Sequence, residues 1–215
     1  ITKLGAGMLT LSGTNSFSGA VAVGGGVLKV ISAGALGLNS SGTVVSNNAT
    51  LQLSGGLMID AEPLTVTGSG AGGALLNVSG DNTWAGDINA IASGGVTRIG
   101  SSDGLLTVAG NVHQDTTSGS QFVLQGAGDI TVTGAIDGSS KVTSSSDASG
   151  VRTLAGDNTY TGQTVINGGT LVVNSLNSVN GGSPPFDASG LGAPTTIANG
   201  TISFGYSSTP ATLRY

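Results

Sequence analysis

Asp60 and Glu62 are the pair of residues in this sequence best placed for acid–base chemistry. They lie two positions apart, so on one strand their carboxyl groups would share a face. Cleavage of a glycosidic bond needs an acid and a base at a set separation, which such a pair can supply. Pro63 follows directly, however, and its fixed backbone is typical of a corner, where carboxylates are solvated. We therefore predict no catalytic residue, and carbohydrate cleavage stays an alternative hypothesis.

Two other motifs contain the residue types of known sites. The segment 100–104 (Gly-Ser-Ser-Asp-Gly), with the single histidine His113 nearby, matches a nucleophile elbow, which joins a strand to a helix. The segment 68–73 (Gly-Ser-Gly-Ala-Gly-Gly) matches a dinucleotide fingerprint, which also needs a helix after it. Both segments are instead followed by strand-like residues. We predict turns at both places, and neither a hydrolase nor a nucleotide site.

The composition excludes several kinds of site and partner. The 11 acidic residues are dispersed, and the Gly-Gly pairs lack the continuation of calcium-binding nonapeptide repeats, so we predict no metal and no cofactor. The chain has no Cys, which removes disulfides, thiolate metal sites and cysteine nucleophiles. The net charge of -5 is spread thinly without a basic patch, which argues against nucleic acid as a partner. No apolar run reaches the roughly 18 residues of a membrane helix, so we expect no membrane insertion by this segment.

Short β-strands are the elements that must position these residues. Apolar residues alternate in pairs with mostly polar spacers, as in Leu28 and Val30 or Leu171 and Val173, and this period of two is that of a strand. Glycine makes up 39 of the 215 residues and, with Asn, Asp and Ser, separates the strands. Strands so short and numerous favour an all-β fold, a parallel β-helix (β-solenoid) whose coils stack at about 4.8 Å. At roughly 20 residues per coil, we expect about ten short coils.

One stretch recurs along the chain. The segment 154–173 aligns without a gap with 11–30, and a shorter copy occupies 78–86. Each copy contains Asn and, two positions later, an aromatic residue; these pairs are Asn15 and Phe17, Asn82 and Trp84, and Asn158 and Tyr160. Because the aromatic type varies while its place does not, we predict a packing position. We predict that the Asn lies at a corner and satisfies its own backbone.

These copies resemble the autotransporter-associated β-strand repeat, also called the passenger-associated transport repeat. The resemblance rests on Gly, Asn, aromatic and Gly at fixed spacing, followed by Gly-Gly-Thr-Leu and an apolar strand, and it covers 1–30 and 152–173 well and 78–86 in part. It implies a right-handed parallel β-helix, export across a Gram-negative-type envelope, and display at or release from the bacterial cell surface. The family has no shared catalytic residues, so the resemblance implies no enzyme.

We predict one β-solenoid over 1–215, with polar loop excursions at 139–150 and 174–194 and with the solenoid resuming at Thr196. Both ends are strand-like and uncapped, so we expect either continuation in a longer protein or end-to-end stacking of copies into a filament. The leading hypothesis is a structural extracellular solenoid, a surface fibre, stalk or adhesin passenger segment that contacts a host surface or a polysaccharide. The alternative is a carbohydrate-acting or carbohydrate-binding β-helix domain.

Overall fold

The fold is a parallel β-solenoid built from three sheets. A computed structural model describes residues 1–38, 41–177, 179, 186–205 and 209–215. Within that part of the chain, every pairing between two strands is parallel. The predicted fold class, all-β with parallel sheets, is therefore confirmed. Among the same residues, no helix has the length and apolar character needed to cross a membrane.

Between β5 (Thr43–Val45) and β19 (Val151–Leu154), the chain visits the three sheets in turn, one strand at a time. Sheet A stacks seven strands: β1 (Thr2–Lys3), β3 (Val21–Val23), β5 (Thr43–Val45), β8 (Leu64–Thr67), β11 (Ile88–Ile91), β14 (Val112–Gln114) and β17 (Ile136–Asp137). Sheet B stacks nine: β2 (Met8–Leu11), β4 (Val27–Val30), β6 (Thr50–Ser54), β9 (Leu75–Ser79), β12 (Val96–Ser101), β15 (Gln121–Gln125), β18 (Lys141–Ser144), β20 (Thr164–Ile166) and β22 (Ser203–Phe204). Sheet C stacks seven: β7 (Met58–Ile59), β10 (Asn82–Trp84), β13 (Leu105–Val108), β16 (Asp129–Val132), β19 (Val151–Leu154), β21 (Gly169–Val173) and β23 (Ala211–Arg214).

The solenoid makes about seven turns, somewhat fewer than the ten or so expected. Coil length explains the difference. Near the start of the chain a short coil separates Met8 from its partner Val27, whereas a longer coil separates Val96 from its partner Gln121. The expected coil length came from the recurring stretch, and most of the coils between its copies are longer. Fewer coils therefore fit into the same chain.

The two predicted excursions have different outcomes. The first, 139–150, is wrong in its middle, because β18 occupies it: Val142 and Ser144 are buried in the interior, and the Ser144 hydroxyl donates to the Gly168 carbonyl oxygen at 2.8 Å. A hydrogen-bonded Ser can fill an interior position that composition marks as polar. The second, 174–194, lies partly outside the described residues. The solenoid resumes at β22 and not at Thr196, which is the N-cap of a one-turn helix, α1 (Ile197–Gly200).

The core runs along the axis between the sheets. On sheet B, Leu51, Leu75, Ile99 and Leu124 are register neighbours on successive strands, and each is at most 1% exposed. Burying such a side chain contributes about 1.5–3 kcal/mol to stability. The period of two thus has the predicted consequence, since one member of each alternation faces inward and the next faces solvent.

Candidate functional site

Asp60 and Glu62 lie at the corner that follows β7, not on a strand. The Glu62 amide donates to the Asp60 carbonyl oxygen, so the chain turns between them and their side chains do not share a face. Asp60 is exposed, while Glu62 is 3% exposed and accepts a 2.9 Å hydrogen bond from the Thr43 hydroxyl. Burial raises the pKa of the Glu62 carboxyl, and the bond from Thr43 opposes that rise. The corner before Pro63 is as predicted; the shared strand face is wrong.

Both carboxyl groups nevertheless line one cleft beside the first copy of the recurring stretch. Its opposite wall contains Asn15, Gly34 and Leu36. No group of three or more His, Cys, Asp or Glu side chains among the described residues is placed to hold a metal ion. The cleft therefore offers one buried and one exposed carboxyl group facing an amide and a leucine.

The segment 100–104 and His113 do not come together. Ser101 ends β12 and is buried at the corner between sheets B and C, and the chain enters strand β13 directly afterwards. His113 lies on the outer face of sheet A, where its Nδ1 is 2.8 Å from an Asp137 oxygen. The predicted turn is confirmed, and the residues of a Ser-His-Asp hydrolase lie on different sheets.

The glycine-rich segment 68–73 folds back over the outer face of sheet B. The Gly68 carbonyl oxygen accepts a 3.1 Å hydrogen bond from the Arg98 amide, and Leu76 lies beneath the segment at 7% exposure. Strand β9 follows the segment, so the predicted turn is confirmed here as well. A phosphate-binding loop would need a helix N-terminus at this point.

The aromatic residues of the recurring stretch occupy packing positions, as predicted. Trp84 and Tyr160 are 0% exposed, and Phe17 packs partly buried against the same core. The Tyr160 hydroxyl lies 2.8 Å from the Thr164 hydroxyl, and burial raises the pKa of Tyr160. The Trp84 and Tyr160 rings are enclosed by protein and therefore do not form a sugar-stacking surface.

The asparagine that precedes each aromatic joins adjacent coils, which the sequence did not predict. Asn158 Oδ1 accepts from the Ile136 amide at 2.8 Å, and its Nδ2 donates to the Gly190 carbonyl oxygen at 3.1 Å. Ile136 belongs to the preceding coil and Gly190 to the following one. The predicted turn in which Asn satisfies its own backbone is therefore wrong for this residue. A corner amide sits between two coils whose backbone groups need partners, and it satisfies both.

In the first and the last copy of the recurring stretch, a glycine of the next coil covers the aromatic residue. Sequence reasoning missed this glycine. A Cβ atom on Gly37 would overlap Phe17, and one on Gly192 would overlap Tyr160. In both copies the aromatic residue's carbonyl oxygen accepts a 2.9 Å hydrogen bond from the residue after that glycine. The signal in the sequence was a recurring Leu-Gly dipeptide, at 36–37 and at 191–192. It falls outside the gapless alignment, because the segment between the copy and the dipeptide is longer after the second copy than after the first.

The two full copies occupy different faces of the solenoid. The first runs through β2, β3 and β4, in sheets B, A and B, and its aromatic loop takes the place of a strand in sheet C. The second runs through β19, β20 and β21, in sheets C, B and C, and its loop takes the place of a strand in sheet A. The second copy is thus shifted round the axis by one sheet. This shift explains why sheet B has nine strands and the other two have seven.

The model of the family described as Passenger-associated-transport-repeat matches residues 1–30 and 149–173. These segments contain the two full copies. The chain carries passenger-associated transport repeats. The adhesin BmaC autotransporter of Brucella suis biovar 1 (strain 1330) is 32% identical over 204 residues, which is 94% of this chain and 4% of that protein. No solved structure matches this chain.

The second family match begins at residue 149, so the second passenger-associated transport repeat includes a buried cation, Arg152. This residue is 0% exposed at an interior position of β19, between Ile130 and Leu171 on the neighbouring strands. Its guanidinium donates to the carbonyl oxygens of Gly128, at 2.7 Å, and Gly126. Burial lowers the pKa of Arg152. The side chain ties the second repeat to the corner of the preceding coil.

Proposed function

We propose that this chain is a structural segment of an extracellular passenger, displayed at a bacterial cell surface as part of an adhesin-type fibre or stalk. Its similarity to an autotransporter adhesin over 94% of its length supports this role, as do its two passenger-associated transport repeats. The recurring residues serve packing and coil-to-coil bonding. The proposed role is therefore mechanical and adhesive, without catalysis.

The observation that carries this proposal is the continuous stacking of coils between the two repeats. Sheet B passes through both repeats without a break in its nine strands. A stack of this kind holds its outer side chains in fixed rows and projects them away from whatever anchors it. Such a geometry suits a stalk or a surface that contacts other molecules.

Surface display tests the adhesive role. We would fuse the chain to a carrier outer-membrane anchor and measure attachment of the displaying bacteria to a layer of host cells. We expect attachment above that of bacteria displaying the anchor alone. A chain with Tyr160→Ala, which removes a buried ring, serves as the destabilised control. Equal attachment by the intact chain and the empty anchor would refute the adhesive role.

We further propose that the end coils stack on further coils, either of a longer polypeptide or of another copy. Apolar side chains are exposed on the first coil, with Leu4 at 71% and Met8 at 60%, and near the last, with Phe204 at 50% and Tyr215 at 79%. The outer edges of β1 and β23 also present backbone groups for pairing. Repeated head-to-tail stacking that does not close makes a filament.

Sedimentation and negative-stain microscopy of the purified chain test stacking between copies. Thin fibres whose length grows with concentration would support it. The double substitution Leu4→Lys and Met8→Lys places two charges on one end face and should shorten the fibres. A monomer that sediments unchanged at millimolar concentration would refute stacking between copies.

Carbohydrate binding is the second candidate function. The observation that favours it is a groove on the outer face of sheet B, lined by amide and hydroxyl side chains. The cleaving version of this candidate rests on Asp60 and Glu62. It predicts that Asp60→Asn and Glu62→Gln each abolish depolymerisation of a polysaccharide, so a polymer left intact by the unmodified chain would exclude it.

A further inference from the structure

A groove runs along the solenoid axis on the outer face of sheet B, across β15, β18, β20 and β22. We call it the sheet B groove; its described lining residues are Gln121, Lys141, Thr143, Gln163, Val165, Asn167, Ser203 and Gly205. Its volume is about 400 Å³. Four stacked strands give it a length of about 14 Å along the axis. It is therefore an elongated, open site of a size that suits a stretch of polymer.

The register of the strands builds the groove in columns. Thr143 pairs with Val165, and Val165 pairs with Ser203, so these three form one outward column. Gln121 pairs with Lys141 and begins the neighbouring column two positions earlier on each strand. Because each column is fixed by the backbone ladder, its side chains recur at about 4.8 Å along the axis. The hydroxyl side chains of Thr143 and Ser203 therefore lie at fixed positions on either side of Val165.

The Thr143 hydroxyl is the feature of the groove that points to a ligand. Thr143 is 5% exposed, and its Oγ1 is buried without a hydrogen-bond partner. Leaving such a group unsatisfied costs about 1–3 kcal/mol, so buried hydroxyls are nearly always bonded. A small shift of a neighbouring side chain on ligand binding would bring this hydroxyl into contact with a hydroxyl or carboxylate of the ligand.

The charge of the groove is opposite to that of the chain. The protein has 11 acidic residues and a net charge of -5, yet no described lining residue is acidic. Lys141 is exposed and is the cation of the lining set. Around it, Gln121, Asn167 and Ser203 offer neutral donors and acceptors. A ligand with many hydroxyl groups and a negative charge would match both properties.

We propose that the sheet B groove binds a strand of an acidic polysaccharide, of the uronate class. Lys141 pairs with a carboxylate, and the Thr143 hydroxyl and the amides bond sugar hydroxyls. This inference rests on the proposed function, because it names the ligand class that an adhesin-type segment would hold. It places the contact on the outer face of sheet B, across the second repeat and the coils on either side of it, away from the Asp60 and Glu62 cleft.

Calorimetric titration with a galacturonate oligomer tests the ligand class. The methyl ester of the same oligomer keeps the hydroxyl groups and loses the charge. We expect the acid form to bind more tightly than the ester, and the difference to shrink as salt rises. Equal binding of the two forms, or binding of neither, would overturn the proposal.

Two substitutions test the residues. Lys141→Gln should lower the affinity for the acid form about 3–10-fold and leave that for the ester unchanged. Thr143→Val should lower both affinities and, because it removes an unpartnered hydroxyl, keep or raise the midpoint of thermal unfolding. A Thr with a purely structural role would lose stability instead. Lys29→Gln, on β4 of the same sheet, is the matched control and should bind like the unmodified chain.

Ligand binding in the sheet B groove and the adhesive role can be refuted independently of each other. Oligomer binding that Lys141→Gln and Thr143→Val leave unchanged would place the ligand elsewhere and overturn the groove, while display-dependent attachment could still hold. Attachment of displaying bacteria that is lost with Lys141→Gln and competed by the galacturonate oligomer would support both. Tight oligomer binding without attachment would support the groove and refute the adhesive role.

Discussion

The two passenger-associated transport repeats share one geometry but differ in burial. In both, a glycine of the next coil lies over the aromatic residue. Tyr160 is fully enclosed, whereas Phe17 is only partly buried. The difference comes from the coil on the other side. The backbone at Tyr160 donates to the Ile136 carbonyl oxygen of the preceding coil, at 3.1 Å, while Phe17 lies in the first coil.

The asparagines repeat this difference. Asn158 bonds to the coil before it and to the coil after it. Asn15 donates to the Ala35 carbonyl oxygen of the next coil, at 2.8 Å, and to Gly13 nearby. The motif is therefore a connector between layers, and its contribution to stability depends on how many layers it touches.

The largest effect should come from the enclosed ring. Tyr160→Ala should lower the free energy of unfolding by about 3–5 kcal/mol, because it leaves a cavity in a packed core. Phe17→Ala should cost clearly less, because part of that ring is already in contact with solvent. Urea unfolding of both variants measures the two losses. Equal losses would contradict the view that the preceding coil sets the contribution of the repeat.

The asparagines should show the next largest difference. Asn158→Ala leaves the Ile136 amide and the Gly190 carbonyl without partners, at a cost of about 2–3 kcal/mol. Asn15→Ala loses the bonds to Ala35 and Gly13 at a partly exposed position and should cost about 0.5–1 kcal/mol. Hydrogen exchange at the Ile136 amide provides the local readout, since its protection should fall only in Asn158→Ala. Unchanged protection there would show that Asn158 does not bridge the coils.

The sequence predicted the parts of this fold that depend on local pattern. Alternation placed Leu28 and Val30 in the core, and the fixed place of Phe17 and Tyr160 in the motif predicted their packing. The prediction for Leu28 and Val30 succeeds because side-chain direction in a strand follows from the backbone alone. The turns at 68–73 and 100–104 were predictable for the same reason, since strand-like residues follow them.

The relation between distant segments was not predictable in this way. Aligning the two repeats says nothing about which face each one occupies, because the coils differ in length, as those that follow Met8 and Val96 show. The partners of Asn158 lie on other coils for the same reason. The sheet B groove was also missed, since its columns join residues that lie on different coils and are unremarkable one by one.

Substitution of the glycines that cover the aromatic rings should cause the next largest loss of stability. Gly37 and Gly192 have positive φ values of 85° and 79°, a conformation that costs other residues about 1–2 kcal/mol. Gly192→Ala also presses a methyl group onto an enclosed ring and should exceed Gly37→Ala, whose ring can move towards solvent. Thermal unfolding of the pair measures the difference. A larger loss for Gly37→Ala would reverse the order that burial predicts.

The smallest effects should appear in the pH dependence of the free energy of unfolding. Two carboxyl groups act on it in opposite directions: Asp115, on the coils between the repeats, and Glu62, beside the first repeat. Hydrogen bonds from Thr117, and then from the Ser93 and Ala92 amides, lower the pKa of Asp115 to about 2, so the folded state favours the ionised form. Its contribution is present above the ordinary pKa of 3.8 and is lost as pH falls towards 2. Burial raises the pKa of Glu62, so its contribution is present below 4.5 and is lost as pH rises through the raised value.

Substitution separates the two dependences. Asp115→Asn should flatten the fall in unfolding free energy on the acid side, and Glu62→Gln should flatten the fall above pH 4.5. Unfolding measured in urea from about pH 2 to pH 7 records both limbs. Hydrogen exchange then locates them, because the Glu62 effect should reach the cleft beside the first repeat, and the Asp115 effect should reach the Ser93 amide. If Glu62→Gln instead altered exchange at the second repeat, the repeats would be coupled along the solenoid, and their differences in burial could not be treated as local.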